Sequence, residues 1–293
     1  MPDAYDKVTT PKKPSWLKIR LHGNDSFADV ARIVEKHALH TICSSGMCPN
    51  KAECWSRRTA TLMILGDICT RHCKFCATQG GKPLPINSRE PERVADSIRL
   101  MGLRHAVITS VTRDDLPDGG ASHWAAVIRA VRAMNPETTV EVLIPDLDAK
   151  EELLDIVLEA RPDIAGHNIE TVRRITPAVR SRATYATSMK TLTYMASCGA
   201  LTKSGLMLGL GETEKEILET LDDLAAAGCR IVTLGQYLRP TLAHVPVAEY
   251  VTPEKFEYYR EQALARGFGY VASAPLVRSS YLAEEALRCG KLK

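Results

Sequence analysis

Along its 293 residues the chain switches repeatedly between two hydrophobic periods. Short apolar runs occur at 61–66 (TLMILG), 104–111 (RHAVITSV), 138–145 (TTVEVLIP), 163–170 (DIAGHNIE), 203–211 (KSGLMLGLG) and 229–237 (CRIVTLGQY). Each reads as a buried strand. Between them, 91–101, 121–134, 148–160, 187–198 and 212–227 carry apolar residues at helical spacing. Asp148 and Thr213 are the predicted helix starts; Gly102, Gly199 and Gly228 are the predicted stops. Two further helices are predicted at 26–38, with Ser26 as N-cap, and at 253–265. Residues 1–20, with Pro11 and Pro14 among lysines and threonines, predict an extended arm. The C-terminal stretch from Tyr270 begins extended and ends as a helix.

Strands alternating with helices predict an α/β class with a parallel sheet, open or curled into a partial barrel. In such folds ligand chemistry gathers at the carboxyl ends of the strands. A 45% hydrophobic content supports one large domain or a barrel with extensions. A net charge of +3, with no basic run interleaved with aromatics, predicts no nucleic-acid partner. No run approaches the roughly 20 apolar residues of a membrane span. MPDAYDKVTTPKKPSWLK lacks the apolar core of a secretory signal. The expectation is a cytoplasmic protein without a membrane partner, in which clustered cysteines are metal ligands or catalytic groups.

Six of the nine cysteines fall in two triplets. Cys43, Cys48 and Cys54 read C-x4-C-x5-C; Cys69, Cys73 and Cys76 read C-x3-C-x2-C. Each triplet is one thiolate short of the set that closes an ordinary iron–sulfur cluster, which leaves one iron open to another ligand. The second triplet begins just after the first predicted strand, where an active site belongs. Its other reading is a zinc site with His72 as fourth ligand, although zinc ligands usually come as separated pairs. Cys198, Cys229 and Cys289 lack cluster spacing and read as ordinary thiols.

Asn168 and Glu170 are two apart in a strand and face the same way. An amide and a carboxylate there suit two ligand hydroxyls; a polar strand-end turn is the plainer reading. His167 reads as structural. Ser110, Thr112 and Arg113 follow the second strand, where Arg113 with Asp114 and Asp115 reads as a solvated salt-linked turn, an alternative to the ligand loop that a family resemblance implies. Arg180 reads as an anion partner or a surface residue, and Lys203 and Arg239 as substrate contacts or surface residues. MLGLGET (207–213) is a glycine-rich strand-to-helix link that lacks the phosphate-loop pattern; its backbone could approach a ligand closely.

ILGDICTRHCKFC, with Phe75 just before the last cysteine, resembles the signature of radical S-adenosylmethionine enzymes. Together with TICSSGMCPNKAECW, VTRDDLPDGG, GHNIET, TKSGLMLGLGET, GQYLRPT and PLVRSSY, it gives a chain that resembles the lipoyl synthase family from about Trp16 onward. The resemblance implies a partial (β/α)6 TIM-type barrel with an N-terminal cysteine-rich extension and a C-terminal tail. Its divisions are 1–60 (arm and auxiliary-cluster segment), 61–270 (barrel) and 271–293 (tail). It implies two [4Fe–4S] clusters. Cys69, Cys73 and Cys76 hold one, whose fourth iron takes the amino and carboxylate groups of S-adenosylmethionine. Cys43, Cys48 and Cys54 hold an auxiliary cluster with Ser279 as fourth ligand; Ser280 is the neighbouring alternative. A hard alkoxide is a poor partner for soft cluster iron, which suits a cluster that is dismantled as the sulfur donor. Phe75 is placed near the adenine, Ser110 at the methionine amino group, Asn168 and Glu170 at the ribose and Arg180 at the carboxylate.

The implied reaction uses a 5′-deoxyadenosyl radical to abstract hydrogen from C6 and then C8 of a protein-bound octanoyl chain, with sulfur delivered at each carbon. The implied partners are an octanoylated lipoyl carrier domain or glycine-cleavage H-type protein, an electron donor such as flavodoxin or ferredoxin, and an iron–sulfur carrier for cluster repair. Two departures stand out. Ser44-Ser45-Gly46-Met47 replaces a stretch that commonly has two acidic residues and an alanine, and Asn87 stands where aspartate is common. Neither removes a ligand; both leave open a paralogue with altered substrate. The competing classes are another auxiliary-cluster radical enzyme and a non-catalytic iron–sulfur or zinc module.

Overall fold

The structure, a computed structural model, describes residues 12–18, 24–281 and 283–288. It divides into two compact units, one from the described residues of Ile19–Arg71 and Thr78–Gly166, the other from those of Met1–Lys18, His72–Ala77 and His167–Lys293.

In the first of these, α1 (Asp25–Lys36) starts at Asn24, whose side chain accepts the Phe27 amide at 3.1 Å. Ser26, the predicted cap, lies inside the first turn; the asparagine two residues earlier reaches the free amides first. Then follow β1 (His40–Thr41), α2 (Ile42–Ser45), α3 (Lys51–Ser56), β2 (Thr61–Ile64), β3 (Ile68–Cys69), β4 (Gln79–Gly80), α4 (Glu90–Met101), β5 (His105–Ser110), α5 (Ala121–Met134), β6 (Thr139–Leu143), α6 (Glu151–Leu158) and β7 (Ile164–Gly166). Strands β2, β5, β6 and β7 pair in parallel in that order. β1 adds antiparallel to β2, and β3 and β4 form a separate parallel pair. Every residue of β2 is buried, as a strand covered on both faces requires. Val94, Ile98 and Met101 of α4 and Trp124, Ile128 and Val131 of α5 are core residues.

Asp148 does not start α6. It sits at φ 55 inside a 3-10 turn, Leu147–Ala149, and its amide is capped by the Asp146 carboxylate. Three consecutive positive-φ residues break the path, so the α-helix begins only at Glu151.

The second unit holds α7 (Thr176–Val179), α8 (Tyr185–Ser197), β8 (Thr202–Leu208), α9 (Glu214–Ala226), β9 (Ile231–Gln236), α10 (Pro253–Ala265), β10 (Tyr270–Ser273) and α11 (Glu284–Arg288). β8, β9 and β10 pair in parallel. Thr213 starts α9 as predicted, in a reciprocal capping box with Glu216. Gly102, Gly199 and Gly228 are left-handed just past their helices, at φ 65, 80 and 79. The predicted strand 163–170 is interrupted after Gly166; Glu170, at φ 68, then bridges to Leu206 of β8. Most of the predicted arm lies outside the described residues; within 12–18, Ser15–Leu17 make one 3-10 turn with Leu17 buried. Cys289 also lies outside them.

Candidate active site

The loop after β2 carries the second cysteine triplet. The Cys69 sulfur accepts the backbone N–H groups of Arg71 at 3.4 Å and Thr112 at 3.3 Å. Arg71 itself is buried and grips two carboxylates, Asp114 (2.9 Å) and Asp146 (2.9 and 3.0 Å). Burial alone would lower its basicity, but the hydrogen bonds and charges of Asp114 and Asp146 more than offset this. Thr70 ties the same turn to the loop after β5, donating to the Thr112 carbonyl oxygen at 3.0 Å and accepting the Asp114 amide at 3.1 Å. Of these residues the sequence singles out Cys69, Thr112 and, as part of a turn, Asp114; it does not mark Thr70, Arg71 or Asp146. The available signal was a guanidinium between two cysteines with aspartates at the ends of two later strands.

Arg113 makes a salt-linked turn with Asp115. It is buried, donates to Asp115 at 2.9 Å and reaches the Leu65 carbonyl oxygen at 3.2 Å. The Arg113 hydrogen bonds hold the Asp115 carboxyl below its usual range. Ser110, at the end of β5, differs: its hydroxyl oxygen is shut off from water and makes no hydrogen bond. A buried hydroxyl left in that state suits a ligand partner.

Cys43 is buried in α2, with Cys48 and Cys54 half-buried after it. The Cys54 thiol is pushed up to about 12, first by burial and then by the charges of Cys43, Cys48 and Glu53, against Arg57. The sulfurs therefore repel one another as thiolates, and a cationic cluster would absorb that repulsion. No described cysteine is in a disulfide. Among the described residues no three His, Cys, Asp or Glu side chains converge on a single-ion site. A cube makes a different demand, with each thiolate on its own iron.

In the second unit, residues 72–76 are strapped from two sides. The His72 amide donates to Ser181 Oγ at 3.0 Å, and the Lys74 amide to the Val179 carbonyl oxygen at 2.8 Å. The His244 ring meets the Cys76 carbonyl oxygen at 3.0 Å. His72 is exposed and Phe75 half-buried. His167 is buried against Ser188 Oγ at 2.9 Å, a structural role as read.

Asn168, Glu170, Arg180 and Ser279 come together. The Asn168 amide donates to the Ser279 hydroxyl at 2.9 Å, and its oxygen lies 3.2 Å from the same hydroxyl. Burial pushes the Glu170 carboxyl above its usual range, against the Arg180 charge and an Asn168 hydrogen bond. Arg180 is no surface residue: it donates to Ser188 Oγ at 2.8 Å, while its Nε is buried without a partner. Lys203 is also buried, so neither reading as an exposed residue holds. Arg239 spends donors on the His244 and Leu242 carbonyl oxygens of its own loop. At MLGLGET the close approach is internal. The Glu212 carboxylate accepts the Gly209 and Leu210 amides, and a Cβ on Gly209 would strike Gln236 and the Glu249 carbonyl oxygen. Cys198 is exposed; Cys229 is buried, with its thiol pushed up to about 12 by burial, so both read as ordinary thiols.

Residues 63–224 match the family model described as the radical SAM superfamily. The lipoyl synthase of Parabacteroides distasonis is 60% identical over 274 residues, covering 94% of this chain and 98% of that protein. The chain belongs to the lipoyl synthase family. The lipoyl synthase of Bacteroides thetaiotaomicron is 58% identical over 277 residues, with 94% and 98% covered. Among solved structures, methylornithine synthase superposes with a TM-score of 0.54 at 11% identity, covering 74% of this chain and 72% of that one. That likeness shows the fold, and with the superfamily match it gives the α/β partial barrel of radical S-adenosylmethionine enzymes. A lipoyl synthase works with S-adenosylmethionine and [4Fe–4S] clusters. The residues fit those groups: two thiol triplets outside any disulfide, amide donors on Cys69, an unpartnered Ser110 hydroxyl and an unpartnered Arg180 Nε.

Proposed function

We propose that the chain is a sulfurtransferase that inserts two sulfur atoms, at C6 and C8, into an octanoyl-lysine on a carrier protein. The observation that carries this is 60% identity to a lipoyl synthase across 94% of the chain, which takes in both cysteine triplets. The target C–H bonds are unactivated, so acid–base side chains cannot break them. S-adenosylmethionine and the clusters, when bound, supply the one-electron chemistry and the sulfur.

The protein's own work is holding and shielding. Cys69, Cys73 and Cys76 hold one cluster through three irons. Two backbone amides donate to the Cys69 sulfur, and the Arg71 lock keeps those amides in place. Ser110 offers its idle hydroxyl to the methionine amino group, and Arg180 a guanidinium to the carboxylate. Asn168 and Glu170 take the ribose, with Phe75 beside the adenine. Cys43, Cys48, Cys54 and Ser279 hold the auxiliary cluster, the sulfur source. The working parts are then 1–60 for the auxiliary segment, 61–270 for the barrel and 271–293 for the tail.

The substrate implies an octanoylated lipoyl carrier domain or an H-type protein, an electron donor of flavodoxin or ferredoxin type, and an iron–sulfur carrier that rebuilds the consumed cluster. Those partners belong to a cytoplasmic setting. No helix among the described residues is long and apolar enough to cross a membrane. The test is anaerobic: reconstituted protein, reductant, S-adenosylmethionine and an octanoyl-lysyl peptide, with products read by mass spectrometry. Deoxyadenosine with a peptide carrying two added sulfurs is expected. Deoxyadenosine without sulfur on the peptide moves the substrate elsewhere, and no deoxyadenosine removes the radical chemistry.

A further inference from the structure

Two glycines of the second unit stand where any side chain would collide with the C-terminal segment. Neither Gly205 of β8 nor Gly235 of β9 is among the glycines with positive φ. Their backbones therefore accept other residues, and the constraint is space. A Cβ on Gly235 would overlap the Val277 carbonyl oxygen and lie 3.1 Å from its carbonyl carbon. A Cβ on Gly205 would lie 2.7 Å from Thr233 Oγ1, 2.9 Å from Asn168 Oδ1 and 3.2 Å from Ser279 Oγ. Gly205 is opposite Thr233 in the β8–β9 register, and Gly235 follows two residues later, on the same face of β9.

The start of the tail continues the β10–β9 ladder in the plane of the sheet before it folds over this face. The Ala274 amide donates to the Leu234 carbonyl oxygen and the Gln236 amide to the Pro275 carbonyl oxygen, each at 3.2 Å. Turns close at Val277→Ala274 (3.0 Å) and Tyr281→Arg278 (2.9 Å). Ser279 then meets Asn168. Segments GHNIET and TKSGLMLGLGET thus meet PLVRSSY at Ser279, and GQYLRPT meets it at Val277.

We propose that Gly205 and Gly235 form a side-chain-free seat that fixes the backbone of Val277–Ser279 and so sets where the Ser279 hydroxyl is presented. The consequence for metal binding rests on the reading of Ser279 as an auxiliary-cluster ligand; the seat itself does not. A hydroxyl is a weak ligand for soft iron, so its usefulness depends on being held in advance rather than ordered on binding.

Trypsin provides the test, because Arg278 lies in the seated segment. The full-length, metal-free wild type is compared with Gly235→Ala and Gly205→Ala, and mass spectrometry follows the C-terminal peptide that begins at Ser279. The seat predicts release faster by about tenfold or more in Gly235→Ala, since local opening governs cleavage. A smaller acceleration is expected in Gly205→Ala, whose nearest neighbours are side-chain atoms that can turn away. Circular dichroism confirms that each variant is folded; if Gly235→Ala is not, Gly205→Ala decides. Wild-type cleavage rates in the folded variants overturn the proposal. A second arm counts iron after reconstitution, beside Ser279→Ala. With the cluster reading also correct, both Gly235→Ala and Ser279→Ala drop from about eight irons per chain to about four. Fast cleavage with unchanged iron in Ser279→Ala keeps the seat and removes Ser279 as a ligand. Loss of iron in Ser279→Ala alone, with wild-type cleavage in Gly235→Ala, does the reverse.

Discussion

At the scale of single residues, the strongest local commitment is Arg71. One guanidinium, 6% exposed, sits between Asp114 and Asp146 beside a proposed cluster ligand. Breaking a buried pair by removing one partner strands the other charge, at a cost of about 3–5 kcal/mol. Arg71→Met should therefore lose about that much stability in urea titrations of the metal-free chain; a loss below about 0.5 kcal/mol, typical of an unremarkable surface site, contradicts the account. Arg71 was not legible in the sequence because its partners lie 43 and 75 residues away. The six cysteines were, because their spacing is local. Cys229 gives a second prediction at this scale. Burial raises its thiol from 9.0 to about 12, so the fold favours the neutral form. Its contribution is intact below pH 9 and is lost as pH rises from 9 toward 12, because the unfolded chain gives up the proton first. Cys229→Ala should flatten the stability-against-pH curve in that window relative to wild type; parallel curves contradict this.

At the scale of elements, helix ends were readable wherever the capping chemistry was local. Thr213 and Glu216 close a capping box around the start of α9. Thr213→Ala should cost about 1 kcal/mol in chemical denaturation, and a change within error shows that the cap is idle. Ser26 and Asp148 mark the limit of such reading. At α1 a cap of equal rank lay two residues upstream, and at α6 a run of left-handed residues delayed the helix. The six predicted strands are all present, since their apolar runs are long enough to carry a pattern. The two-residue strands β1, β3 and β4 carry none. Positive φ at Glu170 was equally hidden, because nothing in GHNIET marks a left-handed glutamate.

At the scale of the whole molecule, the two triplets should separate by function. Cys73→Ala should abolish deoxyadenosine formation. Cys48→Ala should keep it and lose sulfur insertion, with each variant holding about four irons where wild type holds about eight. Loss of deoxyadenosine in both variants would merge the two roles and contradict the division. The family was legible from motif order alone, whereas the tail's seat on Gly205 and Gly235 was not: a glycine in a strand does not announce what approaches it. The most direct test of the central claim is the origin of the inserted sulfur. The chain is reconstituted with heavy-isotope sulfide and turned over once on octanoyl-lysyl peptide, and the product is weighed. Two heavy sulfurs in the peptide are predicted. Light sulfur, or none, contradicts a sacrificial cluster on Cys43, Cys48 and Cys54.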